Sequence, residues 1–282
     1  MSRQVEPDLK SKLAGLRGTL AAAFTPLKNG GSELDLDAIA PYVEFLLAGG
    51  VDGILALGSA GEGILLDVAE RQAVAERYLE VIAGRMSLAV HAGAVTTAMT
   101  ATLAEHAASI GATGVAVIAP PYFSYSEDEL LEHFAAAAAA CFPVPFYVYE
   151  YAARSGYVIP VSVIERLRDR APNLRGMKVS DTPFSAVAPY LLEGLDLFIG
   201  FDTLIPEGLA RGAVGAVSGL AAIMPEFVCD LVRAPSAEKA QIAAERIALY
   251  EPRLIERGKA ELSRLGIMRP DVRGPLRSTF AP

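Results

Sequence analysis

The chain of 282 residues has no tryptophan, two cysteines, three histidines and only six lysines. Cys141 and Cys229 cannot build a disulfide framework, and their apolar helical settings read as buried structural thiols. His91, His106 and His133 have no metal-ligand spacing, which speaks against a metal site. His91 ends a strand and is a pocket candidate, whereas His106 and His133 fall on helices. A formal net charge of −8 argues against a nucleic-acid surface and fits a cytoplasmic protein. Long apolar runs are missing too. The longest weakly charged stretch, Phe134 to Tyr149, holds six consecutive alanines, but Pro143 and Pro145 divide it into a helix, a turn and a strand. No membrane span is expected, and the polar, charged start of the chain gives no sign of a secretory signal.

Apolar residues supply 52% of the chain, enough for a large core. They fall into short runs that alternate with helical patterns. The runs are Gly18–Leu27, Gly53–Ser59, Ser87–Gly93, Gly114–Pro120, Pro145–Tyr151, Leu174–Ser180, Leu195–Asp202 and Gly215–Ala221. Among the intervening helices, Asp67–Gly84 and Ser126–Cys141 open on capping-box patterns, Asp67-x-x-Glu70 and Ser126-x-x-Glu129. Eight strand–helix units in series predict an α/β fold, a (β/α)8 TIM barrel with a C-terminal helical extension. The expected division is a leader over 1–17, the barrel over 18–225 and a helical region over 226–282, with Ser236–Leu265 one long amphipathic helix. Barrel chemistry belongs at the C-terminal ends of the strands. Polar groups gather there, while the strand starts and middles are almost wholly apolar.

Lys178 is the one lysine between Lys28 and Lys239. Its setting, Leu174-Arg175-Gly176-Met177-Lys178-Val179-Ser180, reads as a buried parallel strand. A lysine there is either salt-bridged or neutral and reactive, because a lone buried ammonium is costly. Alternation puts Gly176, Lys178 and Ser180 on one face, and Tyr147, Tyr149 and Tyr151 on one face of the preceding strand. Consecutive strands are neighbours in a barrel, so Tyr149 and Lys178 are expected to meet at its mouth. A neutral amine attacks a ketone to form an imine, and a tyrosine can carry the protons. The turn Gly58-Ser59-Ala60-Gly61-Glu62 offers backbone N–H groups to a carboxylate, or is a plain connecting loop.

Over essentially its whole length the sequence resembles the dihydrodipicolinate synthase/N-acetylneuraminate lyase family of pyruvate-dependent class I aldolases. Gly58-Ser59-Ala60-Gly61-Glu62 looks like the family's Gly-Thr/Ser-x-Gly-Glu, Tyr149 to Gly156 like its Tyr-Asn-x-Pro-x-x-x-Gly, and Gly176-Met177-Lys178 like its Gly-Ile-Lys. The resemblance implies that Lys178 forms an imine with pyruvate, that Tyr149, Ser59 and Tyr122 relay protons, and that the Ser59 and Ala60 amides hold the pyruvate carboxylate. It implies Arg154 beside an aldehyde's carboxylate, as in the synthases, and Val217 among the substrate contacts. It also implies a homo-oligomer, a dimer or tetramer in which Tyr122 reaches a neighbouring subunit, and no cofactor. The synthase reaction is the expected one. Cleavage of a sialic acid, or aldol cleavage or dehydration of a 2-keto-3-deoxy sugar acid, through the same imine is the alternative, as is a non-catalytic member that binds a 2-oxo acid. Three departures from the family pattern stand out: Ala60 in place of a hydroxyl residue, Glu150 in place of asparagine, and Ser180-Asp181-Thr182-Pro183 after the lysine. All three are expected near the second substrate.

Overall fold

A computed structural model describes residues 15–278. Eight parallel strands close into a barrel: β1 Gly18–Ala22, β2 Gly53–Ala56, β3 Ser87–His91, β4 Gly114–Ile118, β5 Phe146–Glu150, β6 Leu174–Val179, β7 Asp196–Ile199 and β8 Gly215–Ser218. Each matches one of the apolar runs. These strands are buried on both faces, one inside the barrel and one under the helices, which is why they read as continuous hydrophobic stretches. Closure is made by β1 pairing with both β2 and β8.

The ring of helices is α1 Ile39–Ala48, α2 Val68–Ile82, α3 Thr97–Ile110, α4 Glu127–Ala140, α5 Val161–Arg170, the short α6 Phe184–Val187, α7 Ile205–Ala210 and α8 Pro225–Arg233. Both capping boxes form. The Asp67 side chain accepts from the Glu70 N–H and the Ser126 hydroxyl from the Glu129 N–H, and each glutamate reaches back to its cap. Two further helices, α9 Ala237–Ala248 and α10 Leu254–Arg264, take the place of the single one expected over Ser236–Leu265. Pro252 interrupts the pattern, since proline lacks an amide hydrogen and disfavours helix in the residue before it.

The first strand is also shorter than its apolar run. It stops at Ala22, and Leu27–Lys28 pairs antiparallel with Glu33–Leu34 beyond Thr25-Pro26. Of the leader expected over 1–17, residues 1–14 lie outside the described range. Leu16, just before β1, is buried and donates its N–H to the Tyr147 hydroxyl at 2.8 Å. At the opposite, C-terminal end of the strands, α9 packs against Asp202–Leu204, and α10 crosses the β2–α2 loop.

Candidate active site

Lys178 lies on β6 with Tyr149 as its direct register partner on β5. The pairing follows from consecutive parallel strands, and the inward face of both is set by alternation. Lys178 is 7% exposed and its Nζ sits 3.9 Å from the centre of the Tyr149 ring. Room for the lysine stem comes from Gly200, where a side chain would collide with the Ser180 hydroxyl and press on Lys178 Cε. Among the described residues Lys178 has no carboxylate partner, so the salt-bridged reading fails.

The surroundings tune the tyrosine. Burial alone would raise the Tyr149 phenol, but the Lys178 ammonium and the facing hydroxyls of Ser59 and Ser180 outweigh it, and the pKa falls below the usual value. Ser180 Oγ, although buried, completes no hydrogen bond of its own. His91 closes the other side, its ring edge-to-face with Tyr149 at 6.1 Å. Burial, then the charges of Arg71 and Lys178, push His91 down to about 3 against its bond to Leu57, so it is a neutral wall of the site. Its Nδ1 faces the Leu57 carbonyl at 3.1 Å, and its Nε2 accepts from the Ile118 N–H.

The Gly58–Glu62 turn is held in a demanding shape. Leu57 and Glu62 both adopt left-handed backbone, with φ of 63° and 57°. A side chain at Gly61 would strike the Ala23 carbonyl, and the Gly61 carbonyl accepts from Thr25 Oγ1 at 2.6 Å. Among the described residues neither the Ser59 nor the Ala60 N–H donates to a protein acceptor, which leaves both for an anion. Glu62, quoted in the motif but given no role from sequence, forms a fully buried ion pair with Lys259 of α10 and accepts from the Arg273 N–H. The C-terminal region is thereby tied to the loop beside Lys178.

One cavity of about 470 Å³ joins these groups. Lys178, Tyr149, Ser59, Ala60, Arg154 and Val217 all line it. Tyr122 does not. Its ring is 90% exposed and stands edge-to-face on Phe123, because the backbone after Pro120-Pro121 turns outward through a φ of 87°. Glu150 also lies elsewhere than expected. Strand alternation turns it away from Tyr149 and the cavity, and its Oε2 accepts from the Ile159 N–H at 2.9 Å. Burial, together with the neighbouring Asp181 carboxyl, pushes Glu150 up to about 8. Arg154 makes no ion pair with either acid among the described residues; its guanidinium lies 5.6 Å from the Tyr151 ring centre.

Asp202 ends the seventh apolar run, Leu195–Asp202, and has no role assigned to it from sequence. The structure places Asp202 in the cavity wall, where it accepts from the Ser218 hydroxyl and burial pushes it up to about 6. The contributions of Leu254, Ile255 and Leu276 from the C-terminal region had no sequence signal. Among the described residues no three His, Cys, Asp or Glu side chains are grouped to hold a metal ion.

The fold is a (β/α)8 barrel whose Lys178–Tyr149 pair lies at the C-terminal mouth, the end where barrel chemistry sits. The chain belongs to the Dihydrodipicolinate synthetase family, whose model matches residues 15–278. It is similar to a 4-hydroxy-tetrahydrodipicolinate synthase of Sorangium cellulosum, 32% identical over 273 residues, 93% of this chain and 90% of the relative. It is similar as well to the N-acetylneuraminate lyase of Mus musculus, 35% identical over 210 residues, 72% of this chain and 65% of the relative. The Proteus mirabilis N-acetylneuraminate lyase structure superposes with a TM-score of 0.87 at 31% identity, covering 95% of each chain. Synthase and lyase relatives thus stand at comparable distances, and the family is fixed more sharply than the reaction.

Proposed function

We propose that the protein is an imine-forming lyase that joins pyruvate, or a close 2-oxo acid, to an aldehyde, or runs the reverse cleavage. The observation that carries this is the buried Lys178 amine, without a carboxylate partner among the described residues, against Tyr149 in a cavity that Ser59 and Ala60 also line. Lys178 Nζ adds to the keto carbon and water leaves, with Tyr149 shuttling the protons. The resulting iminium draws electrons from the methyl carbon, which loses a proton to give an enamine. That carbon attacks the aldehyde carbonyl, a carbon–carbon bond forms, and hydrolysis of the new iminium returns the free amine. The Ser59 and Ala60 N–H groups hold the carboxylate throughout.

Within the family we favour the synthase type, supported by Arg154 at the cavity wall with no ion pair of its own among the described residues. The sugar-acid alternative has less support, since Asp202, the buried acid in the wall, already accepts from the Ser218 hydroxyl. Exposure of Tyr122 and Phe123 supports assembly with further copies of the chain.

The test is incubation with pyruvate, reduction with borohydride and peptide mapping. One reduced adduct on Lys178, absent from Lys178→Arg, is expected; no adduct with any of a panel of 2-oxo acids overturns the reading. Arg154→Ala then separates the finer alternatives. It should lower kcat/KM at least about tenfold for an acid-terminated aldehyde and leave neutral aldehydes nearly unchanged, in line with the strength of a charge-assisted bond.

A further inference from the structure

Beyond the floor around Lys178, the cavity wall changes character. Ile64 and Leu65 enter from the β2–α2 loop, Phe201 from the end of β7, and Ile247, Leu254 and Ile255 from the C-terminal helices. Leu254 fits over Gly219, where a side chain would drive into its Cδ2, so the absence of a Cβ on the β8 loop is what lets this leucine reach the wall. Ile64 is 54% exposed at the cavity edge. It is the outermost member of the apolar wall that Leu65, Phe201, Ile247, Leu254 and Ile255 continue inward.

The polar groups nearby are mostly committed. Asp202 and Ser218 are bonded to each other, and the buried Glu256 faces Arg253 at 3.7 Å. The exposed Glu251, the half-buried Thr203 and Tyr151, and Arg154 remain, with the buried Ser180 back beside Lys178. A polyhydroxylated substrate placed against Leu65, Phe201, Ile247, Leu254 and Ile255 would lose its hydration there without polar partners from those side chains in return.

We infer that the aldehyde meeting the Lys178 imine carries a hydrocarbon body, branched alkyl or aryl, which packs between the β2–α2 loop and the C-terminal helices. A terminal acid, if present, lies beyond that body, towards Arg154. This rests on the imine reading and narrows it to a substrate class. The physical driver is burial of carbon: each methylene removed from water contributes about fourfold in kcat/KM, and an apolar pocket discriminates against an added hydroxyl by about a hundredfold at most.

The experiment uses the full chain and pyruvate, with consumption of pyruvate as the readout. Propanal, butanal, 3-methylbutanal and benzaldehyde are compared with glyceraldehyde. The expected result is kcat/KM rising about three- to fourfold per added carbon, with glyceraldehyde at least about tenfold below butanal. Leu254→Ser and, separately, Ile64→Ser should flatten the rise. Both should retain borohydride trapping of pyruvate on Lys178, which shows that the variants fold and the imine forms. A flat series, or preference for glyceraldehyde, with trapping intact overturns the hydrocarbon inference and leaves the imine reading standing. Absence of trapping in the unaltered protein overturns both.

Discussion

Replacing Lys259 with methionine tests whether the C-terminal region is held by charge or by packing alone. Lys259 and Glu62 are both fully buried and paired, and Lys259 Nζ also donates to the Asp271 carbonyl at 2.8 Å. Burial pushes the lysine below its ordinary pKa even though Glu62 draws it back. Methionine preserves most of the stem volume but removes both bonds. Among the described residues Glu62 is left with only the Arg273 N–H at 2.6 Å to satisfy a carboxylate shut away from water. Breaking one side of a buried pair costs about 3–5 kcal/mol. For a chain of this size that lowers Tm by on the order of 10 °C. Urea midpoints with an unchanged m-value would measure it. The double variant Glu62→Gln/Lys259→Met should recover at least half of the loss, because the stranded charge is gone. A single variant within about 1 kcal/mol of the parent, or a double variant no better than the single, refutes the reasoning.

Two further outcomes follow from the site. Tyr149→Phe keeps the ring against Lys178 and removes the hydroxyl; kcat should fall by about 10²–10⁴ while the borohydride adduct still forms, and a loss below about fivefold would remove Tyr149 from proton transfer. Glu150→Gln addresses stability against pH. The unfolded glutamate loses its proton near 4.5, but the folded one holds it to about 8. Between those values the native state carries the extra proton, so native stability falls as pH rises, by about 1.4 kcal/mol per unit, and is level above the folded value. Glutamine cannot ionise and can still accept from the Ile159 N–H. The gap between variant and parent should therefore widen from pH 5 to 8, and parallel urea-midpoint curves would contradict it.

Much of the architecture was legible because barrel strands leave a plain trace. Strands buried on both faces need unbroken apolar runs, and the eight runs found are the eight strands observed. Capping boxes at Asp67 and Ser126 were readable for a similar reason, since their partners lie three residues away. The Lys178–Tyr149 pair needed one added rule, that consecutive parallel strands sit side by side. Local errors came where proline intervened, at Pro26 and Pro252, and the apolar pattern ran on past the true end of the element.

Strand alternation alone would have turned Glu150 away from the cavity. Family analogy pointed the other way, and the structure sides with alternation. Tyr122, which the family resemblance sends towards a neighbouring subunit, stands exposed outside its own chain's cavity, in a direction set by loop torsions that composition does not specify.

The sequence by itself determined the barrel and the pairing of Lys178 with Tyr149, because each depends on periodicity or on neighbours in the chain. Only the tertiary structure decided what closes the site. Glu62 and Lys259 are 197 residues apart, and Leu254 meets Gly219 across the barrel mouth. Such contacts are fixed by how the last helices pack over the finished barrel, and no local pattern encodes where two distant segments will touch.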